Sequence, residues 1–431
     1  MNKRINRREV LRTATLAGAG VWLAGGAALA GDKSPNEKLD VAVVGCGNRG
    51  AANLSGVAGE NIVALCDVDD RQAAGAYKRF PKARKFRDFR KMLDEVGKQI
   101  DAVVVSTPDH THAPAAVLAM KMGKHCYCEK PMAHSVFEIR TMRRVAREKK
   151  LATQLGTQIH AEPNYRRVVE LVQAGAIGAV HEAHVWFGGS YGGRDRPTDT
   201  PPVPPELDWD LWLGPAPIRP YNPCYLPGAW RRWWDFGTGA IGDFGCHYMD
   251  LPFWALGLRY PTRIEAEGPP VQAEGTPAWM IVRYEFPGKG GSLPIRLTWY
   301  DGGKRPELVR QGKVPDWHSA VLFVGSKGML LADYTKRKLL PEPQFAGFEP
   351  PKPTIPDSEG HHREWIAACK TGSPTTCNFD YSGALSEAVL LGCAAYRSGR
   401  KIEWDAKQLQ AKDCPEADRF LKPEYRQGWT L

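Results

Sequence analysis

A run of small and branched apolar residues at positions 39–45 passes directly into Gly45-Cys46-Gly47-Asn48-Arg49-Gly50. Such a run reads as a buried strand, and the G-x-G-x-x-G that closes it constrains what can follow. The first glycine permits a tight turn, the second lets backbone N–H groups approach a pyrophosphate, and the third allows a helix to pack closely on the strand. A second apolar run, 62–67, ends on Asp67, 22 residues after Gly45. A carboxylate there can accept hydrogen bonds from the ribose hydroxyls of an adenosine and would repel a 2′-phosphate. NAD is therefore expected in preference to NADP, with Arg71 a nearby cation acting in the opposite sense.

Strand-like runs continue at 102–107, 125–128 and 152–156, separated by helical patterns at 71–79, 89–96, 115–122 and 135–149. This alternation predicts an α/β fold, a Rossmann doubly wound parallel sheet, over residues 39–157. Past Gly156 the pattern changes to a helix near 165–174 and strands at 180–187, 278–286, 295–300 and 319–324. Strands that no longer alternate with helices predict a C-terminal α+β domain, 158–431, on a large, mostly antiparallel open sheet. Ten prolines from Pro197 to Pro227 exclude regular structure there, and the segment also carries Trp209, Trp212 and Tyr221. A loop of that length inside a domain is usually functional.

The 431 residues are 43% apolar and 25% charged, an ordinary globular composition. The formal charge of +10 invites a nucleic-acid reading, but residues 1–30 supply +4 of it through Lys3, Arg4, Arg7, Arg8 and Arg12 against Glu9. The rest shows no basic stripe interleaved with aromatics, so nucleic acid is not an expected partner. The same 30 residues have the layout of a signal peptide: a basic start, an apolar run over 14–30, and Ala28-Leu29-Ala30 as cleavage site. Asn6-Arg7-Arg8-Glu9-Val10-Leu11-Arg12 resembles a twin-arginine export motif. The expectation is a signal peptide at 1–30, a linker at 31–38, and use of the twin-arginine machinery. The mature protein is expected to be periplasmic or secreted, without stable membrane insertion. None of the ten cysteines forms a C-x-x-C pair, and Cys126 and Cys128 share one face of a strand, as core residues do. No metal site is expected.

Two stretches follow the 102–107 and 125–128 strands: Ser106-Thr107-Pro108-Asp109-His110-Thr111-His112 and Glu129-Lys130-Pro131. A third, Gly239-Ala240-Ile241-Gly242-Asp243-Phe244-Gly245-Cys246-His247, places Asp243 and His247 four apart on one helix face. An isolated pair of that kind is more often a surface pair. Glycines at 239, 242 and 245 weaken a helix, which points to close backbone approach. Pro252 should kink or end this helix soon after His247. Removing a hydride from an alcohol leaves a hydroxyl proton to be taken, and histidine suits that task near neutral pH.

Together these stretches resemble the Gfo/Idh/MocA family of glucose-fructose oxidoreductase and inositol dehydrogenase-like proteins, a likeness that covers the mature chain. The resemblance implies a cofactor site formed by Gly45, Gly47, Asn48, Arg49, Gly50, Asp67, Thr107, Pro108, His112, Glu129 and Lys130. It also implies His247 as general base, Asp243 as its orienting partner, and Lys130 as the group that polarises the substrate hydroxyl and relays its proton. Asp109 stands where the family frequently has Asn. Gln158, Tyr191, Arg231, Trp234 and Asp235, with His247, are the candidate substrate-binding residues, because sugars stack on aromatic faces and bond to charged groups. Core aromatics with solvated arginines are the alternative reading. His361 and His362 receive no role.

The expected activity is hydride transfer between a sugar or polyol carbon and a tightly held NAD. One alternative is a redox-neutral NAD-dependent glycosidase, lyase or epimerase acting through C3 oxidation, with an extra acid or base among His160, His184, Tyr191 and Asp235. Another is a dinucleotide-binding protein without catalysis. The resemblance further implies a homo-oligomer.

Overall fold

The computed structural model describes residues 37–288 and 293–431. The signal-peptide and export expectations lie outside the described residues, among which no helix is long and apolar enough to cross a membrane. The N-terminal sheet contains β1 (Asp40–Val44), β2 (Asn61–Cys66), β3 (Arg84–Phe86), β4 (Ala102–Val105), β5 (His125–Cys128) and β6 (Thr153–Leu155). Their order is β3-β2-β1-β4-β5-β6 and every pairing is parallel. Strands covered on both faces need apolar residues throughout, which is why β1 and β4 read as DVAVV and AVVV.

The crossovers are α1 (Arg49–Gly56), α2 (Asp70–Arg79), α3 (Phe89–Val96), α4 (Asp109–Lys121) and α5 (Val136–Glu148). Asp69 and Asp88 cap α2 and α3, and Ser135 with Glu138 forms a capping box on α5. Two features differ from expectation. β3 is a three-residue edge strand, Arg-Lys-Phe, too short and polar to show an apolar run. α4 begins at Asp109 rather than near 115, because every residue from Asp109 to Val117 is buried and no polar face marks the period.

The second sheet contains β7 (Val180–Trp186), β8 (Arg263–Glu267), β9 (Ile281–Phe286), β10 (Ile295–Tyr300), β11 (Ala320–Gly325), β12 (Gly328–Ala332), β13 (Arg337–Leu340), β14 (Ile402–Asp405) and β15 (Gln410–Lys412). Its order is β13-β12-β11-β7-β10-β9-β8-β14-β15, with β7 and β10 the parallel neighbours. Apart from the single turn Glu307–Arg310, the helices of this half are α6 (Pro163–Gln173), α7 (Trp209–Leu213), α8 (Gly239–Tyr248), α9 (Asp250–Leu256), α10 (His361–Thr371), α11 (Phe379–Ser398) and α12 (Pro415–Leu421). α11 packs on α5, α8 and β8. One apolar core therefore runs from Val145 of α5 through Leu385 and Val389 of α11 to Val282, Leu297 and Phe323 of the second sheet. The two halves meet through this core.

α8 gives way to α9 at Met249, and Pro252 lies in the first turn of α9. That position has no intrahelical use for an N–H, so the expected break falls between the two helices. In the proline-rich segment the sole α-helix is α7, seated between Pro205 and Pro215. The rest of the segment folds on its own cluster of Leu207, Trp212, Tyr225, Trp230, Trp233 and Phe236. Its chain is tied to the first domain by Asp70 N to Glu206 O at 3.1 Å and Asp208 N to Val68 O at 2.9 Å.

Candidate active site

A cleft of about 650 Å³ lies between the carboxyl ends of the parallel strands and the proline-rich segment. Ligands of doubly wound sheets bind at that edge. Gly45, Gly47, Asn48 and Arg49 line one end. Gly45 has φ +83°, and a Cβ added there would come within 2.7 Å of the Ser106 carbonyl. A Cβ on Gly50 would stand 1.9 Å from the Gly45 carbonyl oxygen, so strand and helix approach as the motif requires. The first turn of α1 carries no acid and no side-chain cap, so no negative group of its own competes with an anion at this helix N-terminus.

Asp67 lines the same end. Its carboxylate accepts from the Cys46 amide at 2.7 Å and from the Asp69 amide at 3.0 Å. Burial pushes it above its ordinary value against the pull of those amides. Arg71 is occupied by a two-pronged bond to Asp69, at 2.8 and 2.7 Å. Thr107, Pro108, Glu129, Lys130 and Gln158 continue the lining. Glu129 is buried and accepts from Arg49, Asn53 and Gln158 at 3.1, 2.9 and 2.8 Å. Burial would raise it, but the charges of Arg49 and Lys130 and these bonds hold it below its ordinary range. His112 stands behind the wall, its two ring nitrogens each 2.8 Å from a carbonyl, Thr107 and Pro131, and so ties both loops together.

At the inner end the Lys130 ammonium donates to the Asp243 carboxylate and, at 2.7 Å, to its backbone carbonyl. The same carboxylate accepts from Tyr191 OH at 2.5 Å and lies 3.1 Å from Arg231 Nε. Burial alone would raise Asp243, but these cations and the two donors hold it well below the carboxylate range. The Asp243 carboxylate makes no hydrogen bond to the His247 ring among the described residues. The expected orienting contact is replaced by the ion cluster, because one acid on α8 is shared by two cations from outside it. His247 faces the cleft with its buried Nδ1 unbonded among the described residues, and burial, with Lys130's charge adding to it, lowers it to about 3. Its imidazole is therefore neutral at physiological pH.

A nicotinamide dinucleotide fits this lining. Thr107 Oγ1, Gln158 Oε1 and His247 Nδ1 are buried without a partner among the described residues, and all three residues line the cleft. Buried polar atoms left open in this way call for a ligand.

Not every candidate converges here. Gln158, Arg231 and His247 line the cleft, whereas Tyr191 stands behind it, bonded to the Asp243 that holds Lys130 and Arg231. Trp234 and Asp235 instead line a second cavity. Of the four residues considered as an extra acid or base, His160 is buried against Asp250 at 2.8 Å and His184 sits beside Tyr300 at 3.2 Å. Asp235 is held by Arg219, leaving Tyr191 in contact with the cluster. His160, Asp250 and Cys377 bring three potential metal-ligand atoms within 4.8 Å, where Asp250 already accepts from His160 and from Tyr381. His362 stacks on Tyr127 and reaches Asn53 at 3.0 Å. Sequence reasoning missed Tyr334, which reaches the cleft from the β12–β13 hairpin with its ring edge-on to His247 at 6.3 Å. It also missed Thr238, which donates to Asp109 at 2.8 Å. Neither belongs to a recognisable motif.

Residues 39–157 match a Gfo/Idh/MocA family model described as "Oxidoreductase family, NAD-binding Rossmann fold". Residues 180–431 match its companion, "Oxidoreductase family, C-terminal alpha/beta domain". The first domain is an NAD-binding Rossmann domain. Inositol 2-dehydrogenase 2 of Saccharopolyspora erythraea is 30% identical over 154 residues, 34% of this chain and 45% of that one. The Glycosyl hydrolase family 109 protein of Solibacter usitatus is 35% identical over 150 residues, 31% of this chain and 34% of that one. The chain thus spans less than half the length of either relative. Among solved structures, the WlbA dehydrogenase from Bordetella pertussis in complex with NADH and UDP-GlcNAcA has a TM-score of 0.61 at 18% identity, over 86% of this chain and 99% of that one. That likeness is one of fold.

Proposed function

The chain belongs to the Gfo/Idh/MocA oxidoreductase family, and we propose that it transfers hydride between NAD and a hydroxyl-bearing carbon of a sugar or polyol. The observation that carries this reading is the set of open, buried polar atoms on Thr107, Gln158 and His247 beside the Lys130 ammonium. Bound NAD supplies the hydride acceptor. Lys130 has three N–H donors and spends two on Asp243, so the third is available to a substrate hydroxyl oxygen. His247, neutral and with its Nδ1 unbonded among the described residues, is the acceptor for the proton that leaves that hydroxyl. An imidazole held so far below its ordinary value is a weak base by itself. The transfer becomes favourable with Lys130 stabilising the alkoxide as it forms, so the two residues act as a unit. Asp243, itself held by Arg231 and Tyr191, keeps the ammonium in place.

His247→Ala should lower turnover by roughly 10² to 10⁴-fold with NAD affinity nearly unchanged, which titration and steady-state assays would read separately. A variant near parental turnover would place the base elsewhere. Substrate class is tested by presenting free sugars, polyols and aryl glycosides to the purified protein while NADH absorbance and released aglycone are followed together. NADH formed from a sugar or polyol supports the proposal. The likeness to a family 109 glycosyl hydrolase protein favours a second reading, a redox-neutral glycosidase. Aglycone release without net NADH would select it.

A further inference from the structure

The cavity that takes Trp234 and Asp235 measures about 420 Å³ and shares no lining residue with the cofactor cleft. The Arg397 guanidinium, at the end of α11, lies 4.9 Å from the Trp234 ring and 4.2 Å from the Phe420 ring. Arg419 of α12 approaches the same Phe420 ring at 4.6 Å. Neither guanidinium has a carboxylate partner or a hydrogen-bond acceptor among the described residues. Burial, with Arg419's like charge adding to it, pulls Arg397 down to about 10, although Cys393 and Asp235 act the other way.

The acids around the cavity are engaged elsewhere or turned to water. Glu138 accepts from Tyr425 OH and from the His134 and Ser135 amides at 2.8 Å each. Asp235 is held by Arg219, and Glu424 is exposed. The Trp234 indole N–H, itself buried, has no acceptor among the described residues. Two cations gathered on one ring, one of them largely desolvated, are unfavourable unless an anion joins them. Guanidinium groups bond oxyanions through paired N–H donors, which suits a carboxylate or a phosphate.

We propose that this cavity is a binding site for a small molecule bearing an oxyanion, a carboxylate or phosphate group, held by Arg397 and Arg419, which both line it. The full chain, first saturated with NAD so that the cofactor cleft is filled, is titrated calorimetrically with inorganic phosphate, with glucuronate and with glucose as the neutral control. Saturable binding of one anion per chain, absent with glucose, is expected. Phosphate alone would identify a phosphate site and glucuronate alone a carboxylate site. Arg397→Gln should weaken binding at least tenfold. Arg419 is exposed, so Arg419→Gln tests the same site without burdening the core and should weaken binding while melting at the parental temperature. No saturable binding of either anion up to about 10 mM, or binding untouched by both substitutions, overturns the proposal.

Discussion

Asp109 lies beneath the ion cluster and shows how far burial can move a carboxyl group. It is pushed up to about 7, chiefly by burial and against the pull of Arg231, while accepting from Thr238. Unfolded, it would ionise near its ordinary 3.8. The folded chain therefore holds the extra proton across about pH 4 to 7, and the stability this gives is lost progressively over that range and is gone above about 7. Asp109→Asn keeps an acceptor for Thr238 and removes the titration. Its melting temperature relative to the parent should climb from about pH 4 to pH 7 and then level off. A difference independent of pH would mean that Asp109 is ionised throughout. Asp67 supports a second prediction. With Arg71 committed to Asp69, Asp67 is the charged group set to discriminate between cofactors. Asp67→Ala should cost about 1–3 kcal/mol of NAD binding and narrow the preference over NADP. Parental protein that binds NADP more tightly than NAD would refute the assignment.

The turn from β1 into α1 leaves no room for a side chain at its third glycine. Gly50→Ala would force a Cβ to within 1.9 Å of a backbone oxygen, so strand and helix must part. Overpacking of that kind costs about 1–3 kcal/mol, visible as a lower melting temperature, and NAD affinity should fall with it. A variant with both unchanged would show that the turn can relax. This element was legible in the sequence because apolar strand and glycine signature are adjacent. α4 was legible only in its second half, since burial on every side erases the amphipathic period. The site divides in the same way. Lys130, Asp243 and His247 could be found from their motifs, and the structure brings Lys130 and Asp243 into contact. That Asp243 would serve Lys130, Arg231 and Tyr191 rather than His247 could not be read, because helical spacing shows which residues share a face and not which outside cations compete for them. Trp234 and Asp235 follow Arg231 closely in the chain, yet that turn sends them to the other cavity.

At the scale of the whole molecule the two halves share one core, and the cleft has a wall from each. Leu211, Trp212, Leu226 and Pro227 of the proline-rich segment, with Gly228 and Trp230 just after it, line the cleft together with the glycine turn and Asp67. The segment is tied down by its own aromatic cluster and by bonds to both flanks of α2's N-terminus. Arg426 adds a tie to Asp210 at 2.7 Å. We infer that a dinucleotide lying between two walls held this firmly exchanges slowly. Arg7, Arg8 and Ala28-Leu29-Ala30 give that slowness a purpose in our reading. A protein exported folded would enter a compartment without a ready NAD pool, where at nanomolar free ligand even a nanomolar site is only about half filled. We propose that NAD is loaded before export, retained, and reoxidised in place by a second substrate or by the same one. Purified protein should then contain near-stoichiometric NAD(H), measured by chromatography of the small molecules released on denaturation, and turn over without added cofactor. Folded protein that emerges empty and depends strictly on added NAD would defeat the proposal.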